Sequence, residues 1–159
     1  VATNPAPGTA EGEGRFWSKV HRGPAGACWI WLGAIADDGY GRYYLHAGAG
    51  GMVRPHRYAY ALAHEIELEE LGELMHVCDV PVCVNPAHLQ PGDHTENMRD
   101  RMRKGRADNG AALRFRGLPR AAMAARSRAL RDEVQTNGWT PERVAAIIAG
   151  QDADAPTLF

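Results

Sequence analysis

The chain has 159 residues, with 18 Lys or Arg set against 19 Asp or Glu, and three cysteines. It contains no apolar run long enough to cross a membrane, and its near-zero charge excludes a uniformly basic chain. A chain of this length makes one domain with arms, whose core is small enough that a metal staple would supply much of the stability.

Residues 1–14 are rich in Pro, Gly, Ala and Thr and predict a disordered tail. Residues 15–20 predict a short helix. Residues 28–32, 40–46 and 52–54 predict strands of a small antiparallel sheet, in which Trp29 and Trp31 alternate as core residues. Residues 55–65 predict a helix with Tyr58, Ala61 and Leu62 facing inward. An acidic run, Glu65, Glu67, Glu69, Glu70 and Glu73, follows and is expected on a surface far from any nucleic acid. The short apolar stretch from Glu73 to Val77 predicts a strand, and after a cysteine-containing loop residues 93–104 predict a helix. Asp93 is its N-cap and Glu96 the third residue of a capping box, which places Asn97 in the first turn. Helix termini of this kind favour phosphate. Between Arg99 and Asp132 there are eleven Lys or Arg and three acidic residues, a stretch suited to following a phosphate backbone. Residues 119–134 predict an Ala/Arg-rich helix. Thr140, Pro141 and Gly150 bracket a second helix, with Thr as N-cap and Pro at its first position. This pair suits a DNA-binding appendage, a dimerisation element or a cap on the core.

The chemistry concentrates between His76 and Asn97. Cys78 and Cys83 form C-x4-C, and His88 extends it to C-x4-C-x4-H. Thiolate and imidazole are the ligands zinc prefers, and the turn formers between them let the segment fold back on itself. Cys28 completes a Cys3His set that leaves no thiol unexplained. The competing assignment is a disulfide between Cys78 and Cys83 with Cys28 free. The chain opens on nothing resembling a signal peptide, and an odd cysteine count suits a reducing compartment, so a cytoplasmic location is expected.

The pattern His-x-Cys-x4-Cys-x-Asn-Pro-x-His-Leu, with Asn nine residues after the second His, resembles the ββα-metal (His-Me finger) nucleases. The form is that of the His-Cys box homing endonucleases and related HNH endonucleases. Cys28-Trp29-x-Trp31, Gly39-Tyr40-Gly41-Arg42 and His56-Arg57 extend the resemblance over residues 15 to 106. It implies an α+β fold, with a small antiparallel sheet, a zinc-stabilised ββα-metal core and C-terminal helices. Residues 1–14 would be a tail, 15–106 the nuclease domain and 107–159 a helical extension.

By position, the resemblance implies that His76 is the general base and Asn97 the ligand of a catalytic Mg²⁺ or similar ion. Cys28, Cys78, Cys83 and His88 would be structural zinc ligands. An arginine is expected at the phosphate, with Arg57 preferred over Arg54 and Arg42. Met75 stands where many HNH nucleases carry a second metal ligand, and a thioether suits a hard cation poorly. No cysteine follows Cys83, so the second zinc cluster of the His-Cys box family has no counterpart. The implied activity is sequence-specific hydrolysis of double-stranded DNA, homing- or restriction-like, leaving 5′-phosphate and 3′-hydroxyl ends. Cutting both strands would require a homodimer or two successive nicks. The alternatives are a catalytically inactive zinc-stabilised DNA-binding module and a nonspecific nuclease of the same fold.

Overall fold

The structure, a computed structural model, describes residues 10–46, 50–92 and 119–150. Helix α1 (Ala10–Trp17) begins inside the segment expected to be an open tail and stops short of Val20. It ends where the Ser18 hydroxyl donates to the Arg15 carbonyl at 2.7 Å and the Lys19 N–H reaches the Phe16 carbonyl at 3.0 Å, a tightened last turn. Val20, whose branched side chain favours extended backbone, opens strand β1 (Val20–Arg22) instead of closing the helix.

Strand β2 (Trp29–Trp31) pairs antiparallel with β1, Val20 lying opposite Trp31 and Arg22 opposite Trp29. The free edge of β2 is taken by the cysteine loop. Trp31 N–H donates to the Val82 carbonyl at 2.9 Å, Val84 N–H donates to the Trp29 carbonyl at 2.8 Å, and Ile30 bridges Cys83. This pairing brings Cys28, at the start of β2, beside Cys83, 55 positions later in the sequence.

Strands β3 (Tyr43–Tyr44) and β4 (Met52–Val53) pair antiparallel and are shorter than the sequence suggests. The Asp38 carboxylate accepts the Tyr40 N–H at 3.0 Å and Gly39 takes φ +89°, so a turn occupies the start of the expected strand. A Cβ on Gly41 would lie 2.6 Å from Trp31 Cδ1 and 2.7 Å from Pro55 Cγ, so only glycine lets the chain cross the indole there. Pro55 confines Arg54 to extended backbone and starts helix α2 (Pro55–His64), which buries Tyr58 and Ala61 as expected. The helix ends at Glu65, in left-handed backbone with its N–H on the Ala61 carbonyl.

Strands β5 (Glu73–His76) and β6 (Leu89–Gly92) form a third antiparallel pair, with His76 opposite Leu89. The sheet expected from residues 28–32, 40–46 and 52–54 is instead divided between the first two ladders, and β5–β6 is a separate hairpin. None is long enough to persist alone, and their side chains share one core. The helix expected over residues 93–104, with Asn97, lies outside the described residues, as does much of the basic stretch.

Helices α3 (Arg120–Asn137) and α4 (Pro141–Ile148) match the two expected C-terminal helices. Thr140 occupies the N-cap position of α4 without a side-chain hydrogen bond, and Pro141 is the first helical residue. Glu133 is buried and joins the two helices, accepting from Arg143 Nε at 2.7 Å and Asn137 Nδ2 at 3.0 Å. Leu130, Val134 and Val144 enter the same core as Phe16, Ile30 and Trp31, so the pair caps the core. Phe16 stacks on Trp31 at 5.4 Å and meets Tyr58 edge-on at 4.8 Å. The architecture is α+β with small antiparallel sheets. Among the described residues no helix is long and apolar enough to cross a membrane.

Candidate metal centre and histidine pair

Four side chains from two stretches of the chain converge on one point. Cys28 leads into β2, Cys78 follows β5, Cys83 lies on the segment paired with β2, and His88 ends the short 3₁₀ turn Pro86–His88 before β6. Their ligand atoms all lie within 4.8 Å of one another. His88 Nδ1 is 3.6 Å from Cys28 Sγ and 3.5 Å from Cys83 Sγ. A tetrahedral ion with sulfur at about 2.3 Å and nitrogen at about 2.0 Å sets an S···N edge of about 3.5 Å, so the spacing fits. All three cysteines are free, which removes the disulfide assignment.

The support around these ligands is built for the same end. His88 Nε2–H donates to the Gly26 carbonyl at 3.0 Å, which orients the ring with Nδ1 facing the sulfurs. Asn85 accepts the Ala87 N–H at 3.0 Å and donates from Nδ2 to the Ala27 carbonyl at 3.0 Å, tying the loop that carries His88 to the turn that carries Cys28. The first bond is the turn role expected of Asn85. The second needed tertiary information. Asp79 takes the left-handed backbone, φ +61°, immediately after Cys78 and turns the chain back toward Cys83.

Electrostatics favour a cation here. With none bound, hydrogen bonds from the Cys28 and Cys83 thiols hold the Cys78 thiolate down to about 2. The same contact with Cys78 pushes Cys28 up to about 12, and Cys83, hydrogen-bonded to both and buried, is raised further. Three sulfurs in contact share protons because their negative charges repel, and a divalent ion removes that constraint.

His76 lies at the end of β5, buried, beside this centre. Its Nε2 is 3.0 Å from the Cys83 carbonyl, and a carbonyl can only accept, so Nε2 carries a proton. Against it sits His56, the second residue of α2, with ring centroids 4.6 Å apart, and Tyr40 lies 5.3 Å from His56 and 5.8 Å from His76. Burial holds the His56 pKa well below the ordinary imidazole value, and the neighbouring His76, Arg57 and Arg54 push it the same way. His56 is therefore neutral at pH 7, and its buried Nδ1 has no hydrogen-bond partner among the described residues.

The three candidate arginines have different surroundings. Arg57 donates to the Gly72 carbonyl at 2.6 Å and the Leu71 carbonyl at 2.7 Å, fastening the residues that lead into β5. Arg54 pairs with Asp38 at 2.9 Å and lies over the Tyr40 ring at 5.6 Å. Arg42 is exposed and makes no ion pair among the described residues. Asn97 lies outside the described residues, so its position relative to His76 is not part of this geometry. Sequence reasoning gave roles to His76 and the four ligands but none to His56 and Tyr40, which entered only within Gly39-Tyr40-Gly41-Arg42 and His56-Arg57 as parts of the resemblance.

No family model matches the chain, and no solved structure matches it. It is 35% identical over 86 residues to Protein 2.8 of Escherichia phage T7, covering 54% of this chain and 57% of that protein. It is 33% identical over 109 residues to Protein 7.7 of the same phage, covering 65% of this chain and 76% of that protein. The chain thus spans little more than half of the first relative and about three quarters of the second. It belongs to the family of phage T7 Protein 7.7.

Proposed function

We propose that the chain is a zinc-stabilised, metal-dependent DNA endonuclease of the HNH or His-Cys box type, with His76 as its general base. The observation that carries this reading is the anchorage of His76: buried at the end of β5, it donates from Nε2–H to the Cys83 carbonyl. Cys83 is also a candidate metal ligand, so one residue both anchors the loop and orients the base. Zinc suits the Cys3His set because it accepts thiolate and imidazole in a tetrahedron and has no redox chemistry of its own.

His76 would take a proton from water attacking a phosphodiester, a task suited to an imidazole near neutral pH and worth roughly 100-fold to 10,000-fold in rate. A catalytic Mg²⁺, with Asn97 proposed to hold it, would when bound polarise the phosphate and favour departure of the 3′-oxygen. Among the arginines, Arg42 has the least committed guanidinium, while Arg57 braces the strand that carries His76. Double-stranded DNA is the proposed partner. One protomer would cut one strand, and double-strand cleavage would need a homodimer or two nicks.

One observation favours the rival reading, a zinc-stabilised DNA-binding module without catalysis: His76 is only 6% exposed and packs on a second imidazole. Supercoiled plasmid with Mg²⁺ separates the two. The endonuclease reading predicts metal-dependent nicking that EDTA stops and that His76→Ala reduces at least about 100-fold with DNA binding retained. Binding without cutting by the wild type would support the module. Discrete fragments on longer DNA would indicate site-specific action and a smear the nonspecific form.

A further inference from the structure

Arg126, on the buried side of α3, donates from one terminal nitrogen to the Asp79 carbonyl at 3.0 Å and from the other to the Ile148 carbonyl at 3.0 Å. One guanidinium thus clasps the metal loop, at the residue after ligand Cys78, to the end of α4. Among the described residues its buried Nε has no hydrogen-bond partner and the guanidinium forms no ion pair with a carboxylate.

A guanidinium withdrawn from water is costly unless an opposite charge lies near it. One carbonyl that Arg126 holds belongs to Asp79, the residue next to ligand Cys78, which sets the guanidinium against the ligand loop. Three thiolates and one neutral imidazole around a divalent ion leave one net negative charge, which a single arginine balances.

We propose that Arg126 is the counter-charge of the metal centre, held against the ligand loop by the Asp79 and Ile148 carbonyls so that the loaded cluster is neutralised by a helix outside the ββ hairpin. The proposal rests on the four-ligand metal reading but not on nuclease activity. It also gives α3 and α4 a task at the metal beyond covering the core.

The test is zinc release from the full chain into a chromogenic chelator, followed for the wild type, Arg126→Met and Arg126→Lys. Removing the charge should speed release at least tenfold, as loss of outer-shell partners of metal ligands typically does by roughly 10-fold to 100-fold. Arg126→Lys, which keeps the charge but not the fork, should stay within about threefold of wild type, charge being what matters. Equal release from wild type and Arg126→Met would overturn the assignment. So would equal impairment of the Met and Lys variants, which would make the carbonyl clasp the whole effect. If Arg126→Met does not fold, Arg126→Gln replaces it in the comparison. Wild-type protein that folds without zinc would overturn the metal reading and this inference together, and is seen before any variant is made.

Discussion

Two imidazoles in ring contact hold different positions in the chemistry. His76 has its Nε2 proton fixed by the Cys83 carbonyl, whereas His56 is buried, with Nδ1 unpartnered among the described residues and a pKa held well below the ordinary value, first by burial and then by His76 and two arginines. In the unfolded chain His56 takes up a proton near pH 6.5. In the folded chain it does so only at much lower pH. As pH falls through that window the unfolded state binds the proton first, so stability drops by about 1.4 kcal/mol per pH unit from this residue alone. Urea unfolding at a series of pH values should show that slope in the wild type and its loss in His56→Gln. Parallel curves for the two proteins would contradict the assignment. At this scale the ligands were legible because metal geometry constrains spacing along the chain: Cys78, Cys83 and His88 lie in one short loop. His56 and Arg126 were not, since each acquires its meaning from a contact made only after folding.

Among the elements, the helices were readable and the strands only partly so. Pro55, Pro141 and the Ala/Arg run beginning near Arg120 mark helices through local backbone rules, and these three helices stand where the sequence places them. The strands are two to four residues long, too short for a period-two pattern to fix their ends, and their pairing depends on partners remote in sequence. Val20 illustrates the difficulty: its neighbours suit a helix, but an open position opposite Trp31 makes it a strand. Helix α3 also shows why the C-terminal pair could not be assigned beforehand, because an Ala/Arg-rich helix can serve a surface or a core. Leu130, fully buried, decides it. Leu130→Ala should lower stability by about 2–5 kcal/mol in urea unfolding, the usual cost of a cavity in a packed core. A loss below about 1 kcal/mol would mean that α3 rests on the surface instead.

Across the whole molecule, charge is arranged along α2. Its first residues bring His56 and Arg57 to the His76 side, while its far end borders a cleft floored by Tyr58, Ala61 and Leu62 and rimmed by Glu13, Glu65 and Glu69. Carboxylates there would repel a polyanion and leave the other end open to the proposed DNA partner, with which a near-zero net charge is therefore compatible. The three ladders and the irregular loop from Val77 to Pro86 have little regular hydrogen bonding to hold them, and a metal held by Cys28, Cys78, Cys83 and His88 would tie the loop to β2, β5 and β6. Such a centre should account for a large part of the folding free energy, because a preformed site does not exist in the unfolded chain. Native mass spectrometry of the full chain, purified without chelator, tests this directly. It should show one zinc per wild-type chain and none for Cys83→Ser, whose thermal transition should fall to that of EDTA-treated wild type. A wild-type chain that is folded and metal-free, with a transition unmoved by EDTA, would contradict it.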